Sequence, residues 1–228
     1  MTPALLVALS SGSLAGLVHV LSGPDHLAAV APLAIEGRDR KWLAGLLWGV
    51  GHSGGVVLVG GLFLILREAL PPVESISAWG ERVVGAALIA IGIWGFFRAS
   101  RIGIEGHHHA DGHAHAHVHL GHRHDDDHRH VPPGHVGAAF LMGVLHGLAG
   151  TSHILGVLPA LALPTRGAGL TYLAGFGGAT VVGMTMFSSA VGLAAVSATR
   201  AGSLKVYRSL LVGSSIAACG IGAFWLLS

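Results

Sequence analysis

Charge is what this sequence has least of. Only 11% of its 228 residues are Asp, Glu, Lys or Arg, where a soluble domain carries about 25%. Mean hydropathy is +0.67, which excludes an ordinary soluble domain. Cysteine is almost missing too: Cys219 stands alone, so no internal disulfide can form. It lies in an apolar run and reads as a small packing residue. With no thiolate pair and only four scattered methionines, a soft Cu(I) site is disfavoured. The net charge of +2 comes from basic residues in short loops, too few for a nucleic-acid footprint. No Walker motif is present, so ATP would have to come through a partner. Trains of ten-residue alternating segments, the mark of a membrane β-barrel, are also missing. The first apolar run has no Lys or Arg ahead of it. It is therefore expected to insert as a first span and not to be cleaved as a signal peptide.

Long apolar runs are what the chain has in quantity. Each approaches or exceeds the roughly 18–20 residues that cross a bilayer as a helix. Six spans are expected, over 4–22, 42–67, 83–98, 136–160, 168–198 and 205–227, the first continuing past Gly23–Pro24 to residue 35. The fold class is an all-α integral membrane protein. Residues 1–99 form a first three-helix unit, 100–135 a polar insertion, and 136–228 a second three-helix unit. The two units share a segment: GLVHVLSGPDHLAAVAP at 16–32 aligns without gaps on GVLHGLAGTSHILGVLP at 143–159. Three spans per unit turn the second unit over, so the expected architecture is a 3+3 inverted-topology repeat with discontinuous helices. Placing both termini outside puts ten Lys and Arg in inside loops and three, Arg67, Arg82 and Arg166, in outside loops. The positive-inside rule favours that orientation, with the insertion cytoplasmic and the chain in the cytoplasmic (inner) membrane. Gly12/Gly16, Gly45/Gly49, Gly51/Gly55 and Gly143/Gly147 have the spacing that lets membrane helices approach closely.

Histidine is the second abundance, with 17 copies. Five lie in apolar surroundings: His19, His26, His52, His146 and His153. Any one alone would be as well explained by a hydrogen bond between helices. Four of the five recur in the duplicated segment, and Asp25 is the one acid deep within an expected span. A carboxylate there needs water, a cation or a partner. Imidazole with carboxylate suits Ni, Co, Zn or Cu. On an unbroken helix His19 and His26 would stand about 10 Å apart along the axis, too far to share one ion. Pro24 should break the helix and let Asp25 and His26 swing toward His19. His19, Asp25, His26 and His52 are the expected main ligands, and His146 and His153 complete the set or form a second step. No prosthetic cofactor is expected.

The insertion reads HHHADGHAHAHVHLGHRHDDDHRH. A solvated, disordered loop is expected, capturing divalent metal weakly through neutral imidazoles with protons competing below about pH 6.5. No enzyme constellation stands out. His52–Ser53 and Ser152–His153 are neighbours, and adjacent helical residues do not face each other.

The segment HVLSGPDHLAAVAPLA with the following WGVGHS resembles the nickel/cobalt transporter superfamily, in its NicO/UreH-like, urease-accessory-type branch of nickel permeases. The His-rich insertion is similar to the loop of nickel/cobalt efflux proteins of the same superfamily. Classical nickel permeases carry His-x4-Asp-His, whereas five residues separate His19 from Asp25 here. The resemblance implies that His19, Asp25 and His26 recognise metal and that His52 is the second-span histidine. It implies transport of Ni2+ or Co2+, with Zn2+ within the same donor chemistry and uptake favoured. The alternatives are efflux by proton exchange and a non-transporting metal sensor or accessory protein. The implied partners are the ion and the bilayer, with room for a cytoplasmic metallochaperone and a homo-oligomer, and no nucleic acid.

Overall fold

The computed structural model describes the backbone of residues 1–37, 40–65, 74–101, 103–108, 114–119, 133–148 and 151–227. Among the described residues, eight helices and a pair of strands follow in order: α1 (Pro3–Ser22), α2 (Pro24–Glu36), α3 (Lys41–Ile65), α4 (Glu74–Ser100), β1 (Gly103–His108), β2 (Ala114–His119), α5 (Pro133–Leu148), α6 (Thr151–Ala162), α7 (Arg166–Arg200) and α8 (Leu204–Leu227). Among the described residues, α1, α7, α8, Lys41–Leu62 of α3 and Glu81–Ser100 of α4 are long and apolar enough to cross a membrane. Large apolar side chains such as Val7, Leu14, Leu21, Met186, Leu193 and Phe224 lie exposed on their outer faces. That is costly in water and natural against lipid. The chain is a helical, multi-pass membrane protein.

The break in the first span is sharp. Gly23 ends α1, its N–H reaching the His19 carbonyl at 3.0 Å, and Pro24 opens α2. Proline suits a first turn, where its missing N–H would have had no intrahelical partner. The helix therefore stops and restarts within one residue. α2 is small-sided and buried nearly all round, through Ala28, Ala29, Val30, Ala34 and Ile35, as a core helix should be. α3, α4, α7 and α8 enclose it. The expected span 136–160 is likewise discontinuous, as the repeat implied: it is two helices, α5 and α6.

The long helices pair closely: α1 on α7, α5 on α3, α3 on α7 and α4 on α8. Glycines set these crossings. A Cβ at Gly12 would overlap the Tyr172 carbonyl and one at Gly16 the Phe176 carbonyl, both on α7. On α5, Gly143 and Gly147 stand in the same relation to the Trp48 and His52 carbonyls of α3. α3 turns Gly45 and Gly49 to α7, and Gly51 and Gly55 to α5. All four expected small-residue pairs thus lie at helix crossings.

Two expectations are corrected. α4 begins at Glu74 and not at residue 83, so Arg82 lies within a helix and not in a loop. The insertion is not wholly irregular: β1 and β2 pair antiparallel, with His107 opposite His115 and Glu105 opposite His117. The alternation AHAHVH at 114–119 has the two-residue period of a strand.

Candidate metal centre

Four helices converge at the α1–α2 break. His19 comes from the last turn of α1 and Asp25 and His26 from the first turn of α2. His52 comes from the middle of α3 and His146 from the last turn of α5. His26, His52 and His146 are 1%, 0% and 2% exposed and Asp25 is 5% exposed. His19 is partly exposed.

The break does what an unbroken helix could not. His26 Nε2 lies 2.8 Å from His19 Nε2. Two such nitrogens at about 2.1 Å from one ion would be some 3 Å apart at a right angle, so the pair is spaced to chelate. On its other edge, His26 Nδ1 lies 3.3 Å from Asp25 Oδ1. Asp25 Oδ2 in turn lies 3.0 Å from His146 Nε2. His52 lies over both rings of the first pair, 5.4 Å from His19 and 5.1 Å from His26 between ring centroids. Two groups of three can offer ligand atoms within 4.8 Å of one another: His19, His26, His52 and Asp25, His26, His146.

Gly23 makes room for this. Its φ of −93° and ψ of 90° are open to any residue. A Cβ there, however, would stand 2.7 Å from the His26 ring and 2.9 Å from Asp25 Oδ1. The glycine is required by space and not by backbone angle.

The structure brings together five of the six residues singled out from the sequence. The side chain of His153 lies outside the described residues. Sequence reasoning missed Trp48, which is fully buried and stacks on His52 at 4.7 Å and 9°. It also packs 5.1 Å from His26 and 5.6 Å from His146. Its indole N–H has no hydrogen-bond partner among the described residues. The available signal was its place one turn before His52, the i, i+4 spacing that puts two side chains on one helix face. Phe176, 5.3 Å from His19, and Trp225, 5.8 Å from His146, complete the aromatic wall. Ser53 donates to the Gly177 carbonyl at 2.9 Å and ties α3 to α7 beside the cluster.

Fold and site together define a class: a multi-pass helical membrane protein with a buried imidazole–carboxylate cluster at a helix break. Known proteins narrow this further. The chain is 37% identical over 227 residues to Chloroplast protein FOR GROWTH AND FERTILITY 2 of Arabidopsis thaliana, covering 98% of the chain and 57% of that protein. It is 37% identical over 220 residues to Chloroplast protein FOR GROWTH AND FERTILITY 1 of the same plant, covering 93% and 56%. The chain thus spans little more than half the length of either plant protein. It is 28% identical over 191 residues to Urease accessory protein UreH of Bacillus sp. (strain TB-90), covering 83% of the chain and 78% of UreH. That distant likeness supports the UreH-like family read from the His19–His26 segment. No protein-family model and no solved structure matches the chain.

Proposed function

We propose that the chain is a secondary transporter of divalent transition-metal cations, Ni2+ or Co2+ before Zn2+, and that the cluster is its binding site. The observation that carries this reading is the gathering of three buried imidazoles, the partly exposed His19 and one buried carboxylate within 2.8–5.6 Å contacts at a helix break. Buried ionisable groups in a membrane helix mark ion paths. Discontinuous helices with cation sites at the break are a transporter device. Ni2+, Co2+ and Zn2+ suit nitrogen donors with one carboxylate. The names of its relatives speak of urease accessory work in one case and of a chloroplast in two, and none names an ion for this chain.

The proposal includes the inverted repeat. α1 on α7 and α5 on α3, with glycines at both crossings, is the exchange of partners that two inverted halves would make. It also includes both termini outside and the His-rich insertion inside, with uptake favoured. An inside-negative potential drives a divalent ion inward by about 4.6 kcal/mol per 100 mV, so uptake needs no coupling ion. Efflux would need proton exchange. No catalytic turnover and no prosthetic group belong to the reading. A second reading, a membrane accessory that hands metal to a metalloenzyme, draws on the name of UreH.

The test is flux of Ni2+, Co2+, Zn2+ and Mn2+ into proteoliposomes under an imposed inside-negative potential. Nickel or cobalt entry is expected, lost with His19→Ala and with Asp25→Asn. No flux of any metal under a potential or a proton gradient, while metal still binds, would favour the accessory reading.

A further inference from the structure

We propose that the cluster is not one site but two overlapping sites that share His26, and that a single ion passes from one to the other. The inference rests on the transport reading and adds an order of events to it. The first site is His19, His26 and His52, all nitrogen. The second is Asp25, His26 and His146, with a carboxylate.

The geometry of one ring carries the argument. His26 turns Nε2 to His19 at 2.8 Å and Nδ1 to Asp25 at 3.3 Å. The two nitrogens of an imidazole point away from each other. Ions on the two edges would lie roughly 6 Å apart, two bonds of about 2 Å plus the width of the ring. One ion therefore cannot use both nitrogens. A neutral ring also has a lone pair on one nitrogen only, so the two sites exclude each other and the cluster holds one ion in total.

In each position the other ring nitrogen faces a polar neighbour. With the ion on Nε2, the Nδ1–H of His26 faces Asp25 Oδ1 at 3.3 Å, where a small turn of the ring gives the carboxylate–histidine arrangement that orients a metal ligand. With the ion on Nδ1, the Nε2–H donates to His19. Passage between them needs water to take the ring proton from one nitrogen and return one to the other, the ring being neutral before and after. The proposed order runs from the partly exposed ligand to the buried ones. His19 is partly exposed, while Asp25, His26 and His146 are all buried. The nitrogen site receives the ion and the carboxylate site encloses it.

The experiment is Co2+ titration of the full-length chain in detergent, followed by visible ligand-field absorption. His26→Gln serves as the baseline that removes the signal of the insertion. Flux is measured in parallel, and gel filtration checks the fold. Wild type is expected to bind one His26-dependent equivalent. His52→Gln and Asp25→Asn should each keep that equivalent, with spectra shifted in opposite directions, toward oxygen and toward nitrogen donors. Each should lose flux at least tenfold. Flux with two His26-dependent equivalents, or with the one equivalent lost in both variants, would overturn the shared-ligand order and leave the transport reading standing. No His26-dependent Co2+ and no flux in the folded wild type would overturn both. His146→Gln is the second oxygen-site variant should Asp25→Asn fail to fold, and its spectrum must move with that of Asp25→Asn.

Discussion

At the scale of single residues, the centre depends on a side chain that is not there. Gly23 holds a place where any Cβ would press on the His26 ring and on Asp25. Gly23→Ala should leave the bundle folded, because the backbone angles there suit alanine. It should weaken Co2+ binding by about tenfold or more, since a displaced ligand need lose only about 1.4 kcal/mol for that. Unchanged affinity in a folded Gly23→Ala protein would mean that the His19–His26 approach is not what binds the ion. The same residue shows how far the sequence could be read. Gly23–Pro24 announced a break, and the seven-residue histidine spacing announced that a break was needed. That the break would bring in His146 from α5 was legible only as repetition, since His146 falls on His19 in the duplicated segment. Trp48 was legible only as sharing a face of α3 with His52. A tryptophan in an apolar helix says nothing of which ring it covers until the helices are packed.

At the scale of helices, α2 is the element with the most at stake. Its first turn carries Asp25 and His26, and its last residue, Glu36, is about 16 Å further along. There Arg98, near the end of α4, places Nε 2.7 Å from Glu36 Oε2 and turns Nη2 to the same oxygen. Tyr207 at the start of α8 donates to Oε1 at 3.1 Å. One carboxylate thus fastens three helices from both halves of the chain, with Glu36 and Arg98 side chains 11% and 24% exposed. Removing one member leaves a largely buried charge without its ion partner. Arg98→Ala should lower stability by roughly 1–3 kcal/mol, a little below the cost for fully buried pairs. Thermal unfolding in detergent measures this, and adding Glu36→Gln should recover part of the loss. Equal melting temperatures for wild type and Arg98→Ala would show that the carboxylate does not fasten the helices. None of these pairings could be read from the sequence, because 62 and 171 residues separate Glu36 from its two partners.

At the scale of the whole molecule, the membrane class and span positions were legible because lipid imposes long apolar runs. The repeat of the histidine segment also made a break within 136–160 legible, as α5 and α6 show; the early start of α4 and the hairpin were not legible. Apolarity marks depth in the bilayer, not where a helix begins or breaks. The packing shows something else: α1 lies on α7, α5 on α3 and α4 on α8. The strongest contacts all join one half to the other. Residues 1–106 produced alone should therefore aggregate or be degraded. Co-expressed with 107–228, they should copurify as one complex, and a stable lone first half would contradict the packing. Seen as a process in time, this has a price during synthesis. Once Ser100 has been made, the rest takes roughly 6–25 s at about 5–20 residues per second. In the first part of that interval, until α5 and α7 are made, Asp25, His19, His26 and His52 have neither His146 nor the α7 wall. An aspartate alone at a helix centre costs about 2.5–3.5 kcal/mol. The newborn first half is thus an unfinished membrane protein that the insertion machinery must shelter until its other half arrives.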